Sequence, residues 1–187
     1  GIDISATSLA LAGLEIPDFF EGRDFFAEDY VPRTHVISAR DRCGIATDRI
    51  RAVATENFRY IRNYNTDRAL FQSNYRDKFA TFVALRGLHA KDKLSPLQSS
   101  YHDASQRPSE ELYDLNKDPH QTVNLATNPE YAAILKQNRQ YLEEWETVTD
   151  DKGRYPESEE SLRLVWEYGK KKCPAPEFDI FRDKAAK

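Results

Sequence analysis

The residues of this chain best suited to chemistry are Arg40, Asp41 and Arg42, followed by Asp48 and Arg49. An arginine fork grips a planar or tetrahedral oxyanion through two hydrogen bonds, and it does so better than the point charge of a lysine. From Arg33 to Arg62 there are seven arginines, no lysine and three acids, in a chain whose net charge is −4. A confined arginine surplus in an acidic protein argues against general nucleic-acid binding. It favours a site for a small anion or an acidic sugar. The competing reading is a solvent-facing strand surface whose Asp–Arg pairs contribute little.

Other candidate groups are weaker. His35, His89, His102 and His120 are scattered, and none has a partner at metal-ligand spacing. Cys43 and Cys173 lie in no CxxC or Cys/His pattern, so they indicate neither a zinc site nor a disulfide framework, although they could pair. Asp3 reads as an ordinary carboxylate at a helix N-terminus. No stretch approaches the roughly 18 apolar residues of a membrane span, and no signal peptide is visible. The chain opens at Gly1 inside an apolar pattern and contains no Met. It is therefore expected to continue a longer protein, the alternative being an initiator Met removed before a small residue.

The elements that must position the arginines follow from periodicity. Residues 2–13 read as the end of a helix stopped by Gly13. Residues 15–33 form a loop pinned by Phe19, Phe20, Phe25 and Phe26. Residues 34–41, 48–56 and 58–64 are strand candidates. In the second of these Ile50, Ala52 and Ala54 face one way, and Arg49, Arg51 and Val53 the other. By the same alternation Arg40 and Arg42 share a face, with Asp41 and Cys43 opposite. Residues 65–108 form a helical insertion, with one helix over 77–91 and a short one starting at Ser95-Pro96. A fourth strand over 110–115 ends in an Asp118-Pro119 turn. The clearest element is a helix over 128–147, capped by Asn128 with Pro129 behind it. Its apolar stripe is Tyr131, Ile134, Leu135, Leu142 and Trp145. Residues 150–161 read as an acidic linker, and the tail from Leu162 holds one short amphipathic segment. The expected unit is α+β: a small antiparallel sheet of about four strands covered by a long helix.

Four segments together resemble the formylglycine-dependent sulfatases: IDISATSLALAGLEIPDFFEGRDF (2–25), ISARDRCGIATDRIRAVATENFRYIRNY (37–64), EELYDLNKDPHQTVNLATNPEY (110–131) and the helix running into WETVTDD (145–151). The third is the most specific, because ELYDL, DP and NLA followed by a helix resembles a sulfatase ending. The RDR…DRIRAV run and the long insertion look most similar to the heparan N-sulfatase group. Gln121 departs from the Glu that the family often places there. Cys43 is followed by Gly-Ile-Ala and so does not match the family's C-x-P/A-x-R nucleophile motif.

The resemblance implies an α/β alkaline-phosphatase-like fold for the whole protein. It assigns residues 1–33 to the end of a catalytic domain, 34–150 to a C-terminal subdomain with an insertion at about 65–108, and 151–187 to a linker and tail. It further implies hydrolysis of sulfate esters or N-sulfates on a sulfated glycan, with formylglycine and calcium both held upstream of this chain. The expected location is periplasmic, secreted or lysosomal. The partners would be the upstream catalytic domain and a sulfated carbohydrate, with neither nucleic acid nor a membrane span. Arg40, Asp41, Arg42, Asp48 and Arg49 become the expected substrate-binding residues, and the chain by itself is expected to be inactive. The rival readings are a noncatalytic module for anionic sugars, a purely structural subdomain, and a phosphodiesterase or phosphonate hydrolase of the same superfamily.

Overall fold

The structure, a computed structural model, describes residues 1–169 and 173–185. It divides into two compact units, residues 1–34 and 35–187.

The first unit holds helix α1 (Ile2–Leu11) and the loop after it. Gly13 ends the helix with φ +70°, a conformation that costs glycine little. Asp3 ties the loop to the helix: its carboxylate accepts the backbone N–H of Arg23 at 2.7 Å and pairs with Arg33. The Arg23 bond is the main reason its pKa lies below the usual carboxylate value. A side chain at Gly22 would meet the carbonyl oxygen of Ile2 at 2.3 Å, so only glycine lets the loop lie this close. Few apolar side chains of this unit are covered. Phe19 is 82% exposed, Leu11 71% and Phe26 67%. Apolar surface of this kind promotes association. We expect the purified chain to bind a hydrophobic-surface dye and to self-associate, and the triple variant Leu11→Ser, Phe19→Ser, Phe26→Ser to lose both properties. Equal dye binding and an equal sedimentation profile for the two proteins would show that the surface lies elsewhere.

The second unit is built on a four-stranded antiparallel sheet of order β1-β2-β3-β4: β1 (His35–Cys43), β2 (Ala46–Thr55), β3 (Phe58–Asn63) and β4 (Glu110–Asp114). The β2–β3 turn lacks glycine because the Thr55 hydroxyl closes it, accepting the Phe58 N–H at 3.0 Å and donating to the Phe58 carbonyl at 3.2 Å. Asn124 completes the free edge of β4. Its side chain accepts the Leu112 N–H at 3.0 Å and donates to the Glu110 carbonyl at 3.0 Å, which gives the NLA motif a structural role.

Between β3 and β4 the insertion carries α2 (Ala80–His89) and α3 (Pro96–Ser100). The latter begins with a reciprocal Ser95–Gln98 capping box. After β4, Asn128 caps a short turn that leads into α4 (Ala132–Val148). One row of side chains crosses the sheet in register, Ile37, Val53, Tyr60 and Leu112, and Leu135 and Leu142 of α4 pack on it. The sheet and its covering helix match the sequence expectation.

The region after α4 differs from a plain linker. It forms α5 (Glu159–Tyr168) and α6 (Asp179–Ala185), and Leu162, Trp166, Cys173, Phe178 and Phe181 bury one another in a second core beside Ile45. The two cysteines are free.

Candidate functional site

The five residues singled out by sequence do not converge on one point. A bulge interrupts the β1–β2 pairing: Arg40 lies opposite Ile50, but Arg42 lies opposite Thr47. Asp48 and Arg49 therefore face Asp41 alone, and the group divides between two sets of partners.

One set gathers at the end of α4. Arg51 is fully buried on the same face of β2 as Val53. Its Nε and Nη2 reach the two oxygens of Asp151 at 3.0 and 2.9 Å, and its Nη1 reaches Asp41 at 2.8 Å. Burial works against the Arg51 charge, but Asp151 and Asp41 outweigh it and raise the guanidinium pKa. A methyl group on Gly153 would strike Arg51 Nη2 at 1.8 Å, so a larger residue there would have to displace the end of the Arg51 side chain. Arg49 lies 3.7 Å over the Tyr64 ring and 3.4 Å from Glu146. Burial and the bond to Glu146 push the Tyr64 hydroxyl up to about 12.

The other set faces the insertion. Asp48, with a fully buried side chain, accepts from Arg107 Nη2 at 3.0 Å through each oxygen and from its neighbour's backbone, Arg49 N–H, at 2.8 Å. Arg40 reaches Asp48 at 3.3 Å. Arg42 pairs separately with Glu157.

The sequence reading missed Arg51 as the buried centre of the first set and Arg107 as the partner of Asp48. The one signal for Arg51 was its place on the same face as Val53; once that face is buried, the arginine must carry a buried counter-charge. Nothing local pointed to Asp151, which is 100 positions away.

Among the described residues no group of three or more His, Cys, Asp or Glu could hold a metal ion. No described helix is long and apolar enough to cross a membrane.

No family model matches the chain. Known proteins nevertheless resemble it. An ulvan-active sulfatase of Formosa agariphila is 34% identical over 88% of the chain and 28% of its own length. The human N-sulphoglucosamine sulphohydrolase is 49% identical, over only 22% of the chain and 8% of its own length. In fold, a 2-O GAG sulfatase matches 83% of the chain and 26% of its own, with TM-score 0.54 and 21% identity. A protein solved with its substrate D-glucosamine-2-N,6-O-disulfate matches 82% of the chain and 25% of its own, with TM-score 0.51 and 18% identity. The chain thus spans about a quarter to three-tenths of the length of the relatives it matches over most of its own. Along nearly all of its length the chain is thus similar in sequence to part of an ulvan-active sulfatase, and it shares the fold of the corresponding part of the solved sulfatase.

Proposed function

We propose that this chain is the C-terminal, substrate-side part of a sulfatase that hydrolyses sulfate esters or N-sulfates on a sulfated glycan. The 34% identity to an ulvan-active sulfatase over 88% of the chain carries this reading. The segment similar to the human N-sulphoglucosamine sulphohydrolase supports N-sulfates as one substrate class. On this reading the nucleophile and metal belong to the part of the protein outside this chain, which supplies framework and substrate contacts. Among the arginines of the predicted site, Arg40 has the most exposed side chain, 35% against 22% for Arg42 and 18% for Arg49, and it takes the direct ligand contact. Asp48 orients Arg40, while Asp41 and Arg49 brace the end of α4. Contacts to remote parts of a substrate can be used to position the reacting group.

The test compares the purified chain with the whole protein on an aryl sulfate and on a sulfated oligosaccharide. The whole protein is expected to release sulfate from both, and the chain from neither, at the level of a heat-denatured control. Turnover by the chain would move the nucleophile into it. Cleavage of a phosphodiester to its monoester and alcohol, or of a phosphonate monoester to phosphonate and alcohol, with no release of sulfate by the whole protein, would favour the superfamily's other hydrolases.

A further inference from the structure

Beside Arg40 lies a cavity of about 180 Å³, enclosed between the β1–β2 end of the sheet and the insertion. Arg40, Gln72, Asn74 and Arg76 supply its polar lining, and Phe71 and Phe82 an apolar wall. It is far larger than one water needs. It is also smaller than the roughly 300–1,000 Å³ of pockets that enclose a whole drug-sized ligand. The space suits one sugar residue or its charged substituent.

The charges around the cavity are unbalanced. Among the described residues Asp48 is the only carboxylate paired with Arg40, and Arg107 already occupies both of its oxygens. The Arg40 Nε is buried and has no hydrogen-bond partner. Arg76 pairs with no carboxylate among the described residues. Its Nε lies 3.4 Å from Asn74 Oδ1, its Nη2 lies 2.8 Å from the Cys43 sulfur, and its guanidinium sits 5.5 Å over the Phe82 ring. Arg40 and Arg107 thus share one carboxylate, and Arg76 has none among the described residues. The nearby Arg86, by contrast, has its own partner in Asp77 at 2.7 Å. Arg40 and Arg76 are partly buried, so they remain open to an incoming anion that would balance them. A neighbouring aromatic wall is what the apolar face of a pyranose ring requires.

We propose that this cavity is a subsite for one anionic pyranose residue, with its sulfate or carboxylate between Arg40 and Arg76 and its ring against Phe71 and Phe82. The proposal rests on the sulfated-glycan reading above and adds Arg76, Gln72 and Asn74 to it. Sulfate and carboxylate share the same oxyanion chemistry, so the test has an arm for each.

Calorimetric titration of the chain would use glucosamine 6-sulfate, glucuronic acid, uncharged N-acetylglucosamine and inorganic sulfate. At least one charged sugar is expected to bind ten times or more tightly than the uncharged one. Arg76→Ala should weaken that binding at least tenfold with the urea midpoint unchanged, and Arg76→Lys should restore part of it. If Arg76→Ala fails to fold, Arg76→Gln, which keeps a donor and most of the volume, gives the same reading. Unchanged affinity in the charge-removing variant, no binding of either charged sugar, or inorganic sulfate bound as tightly as the sugars would each overturn the subsite. Aryl sulfate turnover by the unaltered whole protein reports separately on the sulfatase reading, so the two ideas fail independently.

Discussion

Arg51→Ala is expected to cost the chain about 3–5 kcal/mol of stability, because it leaves a buried carboxylate without its partner. Asp151 is only 9% exposed and receives two of the five side-chain hydrogen bonds that Arg51 donates. Urea denaturation followed by fluorescence of Trp145 and Trp166 would read the loss. The double variant Arg51→Met, Asp151→Leu should recover much of it, since an apolar pair of similar bulk removes both desolvation penalties. A double variant as unstable as the single one would show that the arginine acts through its bulk.

The same pair predicts a pH dependence. Burial raises the Asp151 pKa, but the Arg51 bond and the Gly153 N–H outweigh it, and the folded value lies below the usual carboxylate value. A depressed carboxylate stabilises the fold fully above its unfolded pKa, and that stability is lost as pH falls through the folded value. The gap between the parent chain and Arg51→Ala should therefore be wide at about pH 7 and narrow towards about pH 3. A gap that stays constant across this range would remove Asp151 from the account.

Phe178→Ala should have a comparable effect, about 3–5 kcal/mol, as expected for emptying a large core aromatic site. Phe178 is fully buried, with its ring stacked 6.1 Å from that of Trp166 and Phe181 in the same cluster. Ile45 from the β1–β2 turn packs on this core, so the loss should reach the sheet. The expected result is a lower urea midpoint in one cooperative transition, read both by Trp166 fluorescence and by far-ultraviolet dichroism. Early loss of the fluorescence change alone, with the sheet melting at its original midpoint, would show that residues 159–185 form a detachable appendage.

The sequence by itself determined the sheet and its helix. Alternation in 48–56 placed Arg51 and Val53 on one face, and both are buried there. The Asn128-Pro129 cap and the stripe through Leu135 and Leu142 located α4, because capping and periodicity act over a few neighbouring residues. The ELYDL and NLA motifs identified a strand whose edge Asn124 completes. Tertiary structure decided the rest. The β1–β2 bulge carries no glycine to announce it, yet it separates Asp48 and Arg40 from Asp41 and Arg49, which the sequence had grouped as one site. Residues 150–161 look like solvated linker, but Asp151 and Glu157 are counter-ions for Arg51 and Arg42. The second core draws Leu162 and Trp166 from α5, Phe181 from α6, and Cys173 and Phe178 from the segment before α6, so the one amphipathic segment visible in the sequence shows only part of it. Arg40 and Arg76, 36 positions apart in the sequence, meet only because the insertion folds back against the sheet. Periodicity and caps depend on near neighbours and can be read from the chain; charge partners and cavities depend on where distant segments come to rest.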